Sequence, residues 1–218
     1  MSENRYSDTR TRILDAAESL FMAHGYEGTS MRQITGAASV NLASVNYHFG
    51  SKEQLIQEVL RRRLDPLNEA RMRVLDAMEL AAGAQPLDPA RIIDGFFGTL
   101  LRLARDPEQG GTVFLRLLGR TVTEPSPLIR QFLALEYASV MERYKAALYR
   151  ALPDLPQEEV VWRFHFMLGA SSYAIAAIDA VRLVSEGGEG AAAFDEKLLA
   201  RLLSFLEGGL VAPLPSSA

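Results

Sequence analysis

The spacing of apolar residues near the start of the chain predicts short helices separated by turns. Apolar residues recur every three or four positions from Ile13 to Phe21, which is the period of a helix with one buried face. Ser7 or Asp8 is expected to cap this helix, and Gly25 is expected to end it, because glycine adopts the left-handed conformation at little cost. The pattern therefore predicts a first helix within these limits.

Two more short helices and the start of a fourth are predicted within residues 29–55. Ser30 and Gln33 have the spacing of a capping box, in which each side chain accepts a hydrogen bond from the other residue's backbone N–H. Asn41 is expected to cap the third helix, and a second capping box begins at Ser51. Each of these helices thus has its own start signal.

The third helix is predicted to carry small and hydrogen-bonding side chains on its outer faces. Leu42, Val45 and Phe49 have the spacing of an inward-facing stripe. Two short helices joined by a tight turn, with a polar outer face on the second, are typical of a helix-turn-helix. On pattern alone, the aromatic end of this helix could equally complete a small three-helix core.

The first quarter of the chain resembles the N-terminal domain of the TetR-type (TetR/AcrR) transcriptional regulators. The resemblance rests on Ile13–Ala17, Leu20–Phe21, Gly25–Tyr26, Thr29–Ser30, Ile34, Ala37–Ala38, Val40, Asn46–Phe49 and Ser51–Leu55. It implies an all-α protein in which residues 1–52 form a helix-turn-helix DNA-binding domain. The residues expected to contact double-stranded operator DNA are Thr29, Asn41, Leu42, Ala43, Ser44, Asn46, Tyr47, His48 and Lys52.

Two positions depart from the family pattern. The turn contains Ser39 where the family usually has glycine, and the third helix begins with Leu42-Ala43 where the family often has Lys-Gly. An apolar Leu42 suits a thymine methyl group better than a guanine edge. These departures concern the preferred base sequence and leave the fold unchanged.

The charge distribution is compatible with a DNA-binding head on an acidic body. The 218 residues carry a net charge of −4, but residues 1–63 contain eight Arg or Lys against seven Asp or Glu. Phosphate contacts depend on local charge more than on the total. The expected local cations are Arg5, Arg10, Arg12, Arg32 and Lys52.

The rest of the chain is predicted to be a helical domain, residues 53–210, followed by a disordered tail, 211–218. A long helix from Ser51 is expected to be kinked at Pro66, because proline removes a backbone hydrogen bond. Further helices are predicted near 89–105, 110–121, 126–152, 157–184 and 194–206. Glycines at Gly95, Gly98 and Gly119 indicate either close helix packing or a cavity.

The resemblance also implies a homodimer that binds a small effector. In TetR-type proteins the last two long helices pair with those of a second subunit, and the matching residues here are Ala174, Ala177, Val181, Leu199, Leu202 and Leu206. The segments Phe114–Gly119, Trp162–Ala170 and Ala43–Phe49 are similar to the PsrA-like branch, which responds to fatty acids. A pocket for a fatty acid or acyl-CoA is expected from Phe96, Phe97, Leu100, Phe114, Leu117, Met141, Tyr144, Phe166 and Tyr173, with Arg116, Arg120 or Arg163 as the donor to its head. The alternative is that these residues are simply core.

Other classes of function have less support in the sequence. The chain has no cysteine, three histidines and no nucleophile or phosphate-loop motif, so no catalytic residue, metal site or cofactor is predicted. A helical lipid carrier remains an alternative, although it leaves residues 29–55 unexplained. The uncharged run from Phe166 to Ile178 is too short to span a bilayer. With no signal peptide pattern at its start, the protein is expected to be cytoplasmic and not bound to a membrane.

Overall fold

The computed structural model describes residues 2–103, 114–115, 117–119, 126–176 and 191–214. All regular structure in these residues is helical, which confirms the all-α prediction. The elements are α1 (Ser2–His24), α2 (Met31–Ala38), α3 (Leu42–Phe49), α4 (Lys52–Ala82), α5 (Pro89–Ile93), a π-helical turn (Asp94–Gly98), α6 (Thr99–Leu103), α7 (Pro127–Ala151), α8 (Gln157–Ala176) and α9 (Ala191–Leu210).

The helix boundaries follow most of the local signals in the sequence. The Ser30 hydroxyl accepts from Gln33 N at 3.2 Å, and Gln33 Oε1 accepts from Ser30 N at 2.8 Å. Gln54 N donates to the Ser51 hydroxyl at 3.1 Å in the second capping box. The Asp88 side chain caps α5, whose first residue is Pro89. These side chains satisfy backbone N–H groups that the helices themselves leave unpaired.

One expectation about a helix limit was wrong. Helix α1 begins at Ser2, before the expected caps at Ser7 or Asp8, because either residue can lie inside a helix when the residues before it are also helical. Helix α4 is a single long helix from Lys52 to Ala82, with Pro66 inside it.

The described residues fall into two compact units. The first is Met1–Pro66 with Pro107–Glu136, and the second is Leu67–Asp106 with Tyr137–Ala218. The first part of α4 belongs to the first unit, where ion pairs join it to α1. Arg63 Nε donates to Glu18 Oε1 at 2.9 Å, and Arg62 also pairs with Glu18.

Aromatic side chains form the centre of the second unit. The Phe96 ring lies 4.9–5.1 Å from the rings of Phe97, Tyr144 and Phe164, measured between centroids. Helix α9 contacts α8, α5 and the π-helical turn around this cluster. A Cβ atom at Gly95 would lie 3.0 Å from Met78 Cε, so close packing accounts for this glycine better than a cavity does.

Ser39, in the turn between α2 and α3, has φ of 53° and ψ of 47°. No other non-glycine residue in the described ranges has a positive φ. The left-handed conformation costs a residue with a Cβ about 1–2 kcal/mol, and the greater unfolded-state entropy of glycine offsets part of this cost.

Replacing Ser39 by glycine is therefore expected to stabilise the first unit by about 0.5 kcal/mol. Thermal unfolding followed by circular dichroism would measure this change. Ser39→Ala is the matched control, since it keeps the strain and should give no gain. A lower melting temperature for Ser39→Gly would show that the turn is not strained.

Candidate nucleic-acid interface and effector site

The outer face of α3 presents side chains that the described part of the first unit leaves exposed. Val45 and Phe49 are buried, whereas Leu42 is 48% exposed and Tyr47 is 77% exposed. Ala43 and Asn46 are exposed as well. The expectation that Leu42 packs inward was wrong, since about half of its side chain, which lies in the first turn of α3, is open to solvent. Its exposure leaves the apolar side chain available to a partner.

The start of α3 is held by hydrogen bonds between two residues expected to contact DNA. Asn41 Oδ1 accepts from Ser44 N at 2.8 Å, and the Ser44 hydroxyl donates to the same oxygen at 3.0 Å. Asn41 therefore fixes the direction of α3, and its amide nitrogen remains on an exposed side chain. His48 is half-buried, with its ring beside those of Tyr47 and Phe49.

Thr29 does not fit its expected role as a phosphate ligand. Its side chain is 1% exposed. The hydroxyl donates to Gly25 O at 2.8 Å and lies 3.1 Å from Leu20 O. Thr29 thus secures the connection between α1 and α2, because its only hydroxyl proton is used inside the fold.

The expected cations of the first unit have different surroundings. Lys52 Nζ lies 4.3 Å from the centroid of the Tyr26 ring, at the start of α4. Burial raises the pKa of Tyr26, and Glu53 raises it further. Arg10 pairs with Glu58, and Arg12 pairs with Asp8 at 3.4 Å, while Arg32 is exposed. The ring of Tyr26 therefore orients the Lys52 ammonium group at a helix N-terminus, where anions are favoured.

Most of the apolar residues expected to bind an effector are buried. Phe96, Phe97, Leu100 and Tyr144 lie in the second unit, with Tyr144 wholly inaccessible. Met141 is half-buried. Phe114 and Leu117 are buried in the first unit. Arg116 and Arg120 lie outside the described residues.

Three other effector residues are placed differently from expectation. Arg163 is 7% exposed and donates to Leu210 O at 2.6 Å and Ala212 O at 2.7 Å, so it fastens the end of α9 to α8. Phe166 and Tyr173 are 64% and 72% exposed. They lie on the solvent face of α8 because the α8–α9 contact covers the opposite face. They are not part of the buried aromatic cluster.

The residues expected at a dimer interface also divide into covered and exposed sets. Leu202 and Leu206 are buried against their own chain, which leaves them no surface for a partner. Ala174 and Leu199 are half-buried, whereas Ala177 and Val181 lie outside the described residues. The large exposed apolar side chains of these two helices include Trp162, Phe166 and Tyr173 on α8 and Phe205 on α9. We call these four residues the α8–α9 apolar face.

Sequence reasoning missed Arg71, which is 2% exposed in the second unit. Its Nε donates to Phe96 O at 2.9 Å, and its guanidinium carbon lies 3.8 Å from the Phe96 ring centroid. The Tyr144 hydroxyl donates to Arg71 O at 2.8 Å. An arginine in the middle of a long amphipathic helix gave no signal of burial, since such residues are usually solvated.

Two negative findings apply to the part of the chain that is described. No group of three or more His, Asp or Glu side chains there could hold a metal ion. None of the helices there has the length and apolar character needed to cross a bilayer.

The geometry of α2, the turn and α3 is that of a helix-turn-helix. The sequence pattern of bacterial regulatory proteins of the tetR family matches residues 13–59, and that of the tetracyclin repressor-like C-terminal domain matches residues 94–209. The second match alone covers more than half of the chain. The chain belongs to the TetR family of transcriptional regulators.

Individual relatives are similar mainly in the N-terminal part. The transcriptional regulator LmrA of Bacillus subtilis is 36% identical over 96 residues, which are 44% of this chain and 47% of that protein. The transcriptional repressor KstR2 of Rhodococcus jostii is 43% identical over 61 residues, which are 28% of this chain and 30% of that protein. The chain thus spans less than half the length of these two relatives.

The crystal structure of PfmR, a TetR family transcriptional regulator from Thermus thermophilus, has the same fold. It superposes with a TM-score of 0.60 at 19% identity, over 94% of this chain and 97% of that chain. At this identity the likeness concerns the fold alone.

Proposed function

We propose that this chain is a transcriptional repressor that binds palindromic operator DNA as a homodimer and is released by a small apolar effector. The observation that carries the DNA-binding part is the exposed face of α3. A capped helix anchored by Val45 and Phe49 presents Leu42, Ala43 and Tyr47 to solvent. Small and apolar residues let a helix enter the major groove closely. The names of the two sequence relatives, a regulator and a repressor, support the same function.

The proposed contacts divide between base edges and phosphates. Leu42, Ala43 and Ser44 meet base edges, because they lie at the N-terminal end of α3. Asn46, Tyr47 and His48 contact phosphates, and Lys52 adds a cation at the N-terminus of α4. Asn41 acts by orienting α3 toward these groups.

A salt titration of DNA binding tests this division. Lys52→Ala is expected to weaken binding to every sequence and to reduce the slope of log K against log salt by about 1. Tyr47→Phe, which removes one hydroxyl donor, is expected to weaken binding roughly fivefold. Leu42→Lys should instead change which sequence is preferred. Fluorescence anisotropy with duplexes from the region upstream of the protein's own gene would measure all three.

The matched control is Arg73→Ala, because Arg73 is an exposed cation in the second unit. It should leave both the affinity and the salt slope unchanged. Parent-like binding by both Tyr47→Phe and Lys52→Ala would contradict the proposed phosphate contacts. No salt-sensitive binding of the parent protein to any upstream duplex would contradict the proposed function itself.

The homodimer is proposed to form through the α8–α9 apolar face. Trp162, Phe166 and Tyr173 follow one side of α8 at spacings of four and seven residues. An exposed set of large apolar side chains of this kind is typical of a protein interface. A palindromic operator requires two α3 helices about 34–36 Å apart on one face of the duplex, and a second copy of the chain is needed to supply the second helix.

The effector is proposed to be a fatty acid or its acyl-CoA ester, as the similarity to the PsrA-like branch suggests. The apolar and aromatic side chains of the second unit support this class, because each buried CH₂ group of an acyl chain contributes about 0.8 kcal/mol. Its binding would lower operator affinity by acting on α4, which contributes residues to both units. Titration of long-chain fatty acids and acyl-CoAs into the protein–operator complex tests this proposal. If none releases DNA from a folded dimer, only the DNA-binding proposal remains.

A further inference from the structure

Arg71 is a buried cation whose charge is not balanced by a carboxylate in the described residues. None of the ion pairs found there includes Arg71, although neighbouring arginines such as Arg73 and Arg143 are paired with acidic side chains. Arginine is rarely buried to 2% exposure without an ionic partner, because moving a charge out of water is costly. Packing alone therefore does not explain the buried charge at Arg71.

The guanidinium group of Arg71 contacts neutral groups, namely a carbonyl oxygen, an amide oxygen and two aromatic rings. Nε donates to Phe96 O, and Nη1 lies 3.5 Å from Asn68 Oδ1, which is the outer limit of a hydrogen bond. The group stacks between the rings of Phe96 at 3.8 Å and Tyr137 at 5.5 Å. Burial lowers the pKa of Arg71, and the neighbouring Tyr137 opposes this change. Stacking and neutral oxygens orient the guanidinium group without neutralising it.

The surroundings of Arg71 combine this charge with an apolar wall. Phe96 belongs to the π-helical turn, and irregular turns of this type are frequent at functional sites. Asn68 and Tyr137, which contact the guanidinium group, are only half-buried, so Arg71 lies beneath side chains that are partly open to solvent. A ligand that displaces the long Asn68 contact would reach both the cation and the aromatic rings.

We propose that Arg71 binds the carboxylate of an acidic apolar effector, with the effector's hydrocarbon part against Phe96 and its neighbours. This inference rests on the proposed function, in which an apolar ligand controls DNA binding, and it names the charged group that recognises the ligand. A carboxylate oxygen would accept a short charge-assisted hydrogen bond from Nη1, in place of the 3.5 Å contact with Asn68. Free carboxylates, and not neutral analogues, are then the preferred ligands.

The test compares decanoate with 1-decanol, which has the same chain length and no charge. Binding is measured by calorimetry and by the rise in melting temperature of the full-length protein. The parent protein is expected to bind decanoate roughly 10- to 100-fold more tightly than 1-decanol. Arg71→Met should abolish this preference, whereas Arg73→Met, which changes an exposed arginine on the same helix, should keep it. Equal preference in the parent and in a folded Arg71→Met variant would overturn the proposal.

Arg71→Lys keeps the charge and serves if the methionine variant does not fold. Lysine cannot reproduce the planar donor geometry, so decanoate affinity should fall several-fold while 1-decanol affinity stays the same. Parent-like decanoate binding by Arg71→Lys would count against Arg71. Decanoyl-CoA tests whether the ligand is a thioester instead of a free acid. If the protein binds decanoyl-CoA and not decanoate, and neither Arg71 variant changes this binding, carboxylate recognition by Arg71 is overturned.

Operator binding by the ligand-free protein separates this inference from the proposed function. If the parent binds operator DNA but decanoate does not raise its melting temperature, the carboxylate site is overturned and the repressor proposal stands. If the parent binds no operator DNA, the repressor proposal fails whatever the ligand data show.

Discussion

Replacing Phe166 by glutamate is expected to convert the proposed homodimer into monomers and to lower operator affinity by about 100-fold or more. Phe166 is 64% exposed at the centre of the α8–α9 apolar face, with the Trp162 ring 5.9 Å away. A glutamate there would bring one unpaired carboxylate from each subunit into the interface. The free energy of burying both would exceed the stabilisation from the apolar contact. Losing the second head removes the gain from binding two half-sites at once, which is typically 10²–10⁴-fold.

Light scattering and fluorescence anisotropy would measure these two effects on the same samples. The matched control is Leu80→Glu, which makes a similar apolar-to-acidic change at a side chain that is 86% exposed on α4. It should leave both dimerisation and DNA binding unchanged. Tyr173→Glu should behave like Phe166→Glu, and dimers that survive both changes would point to a different interface.

Replacing Glu18 by alanine is expected to destabilise the first unit by about 3 kcal/mol. The Glu18 carboxylate is 5% exposed and pairs with both Arg62 and Arg63, whose side chains are 23% and 16% exposed. Its removal would leave two largely buried guanidinium groups side by side without their shared partner, and breaking a buried pair in this way typically costs about 3–5 kcal/mol. The expected loss lies at the lower end of this range because both arginines keep some contact with solvent.

Urea unfolding followed by circular dichroism would show this loss as a lower midpoint. Asp15→Ala is the control, since Asp15 is 60% exposed and pairs with Arg62 at 2.6 Å on the surface. Surface ion pairs contribute about 0–1 kcal/mol, so this variant should unfold close to the parent. Equal losses of unfolding free energy in the two variants would mean that the burial of Glu18 does not strengthen its ion pairs.

The local sequence was enough to predict the short helices from which the helix-turn-helix is built. The capping boxes at Ser30 and Ser51, the Asn41 cap and the glycine after α1 act within four residues of their own position, so their effects can be read without a tertiary structure. The apolar spacing within α2 identified Ile34 and Ala38 as buried for the same reason.

Long-range partners could not be read in this way. Thr29 was expected to contact DNA at the N-terminus of α2, but the fold turns its hydroxyl inward to the Gly25 carbonyl group. Arg163 looked like a free cation near an apolar run, yet it binds carbonyl oxygens 47 and 49 residues away. Spacing along a helix reports which residues share a face and does not report what that face meets.

The sequence by itself determined that the chain is helical and where α2 and α3 begin, because helix caps and the helical period are local properties of the backbone. Only the tertiary structure decided that Phe166 and Tyr173 face solvent while Leu202 and Leu206 face the core. It also decided that Glu18 and Arg71 are buried charges, one shared by two arginines and the other stacked on Phe96. Burial depends on contacts between residues far apart in the chain. The free energy of burying a charged side chain, and the partner that offsets it, are therefore known only once those contacts are formed.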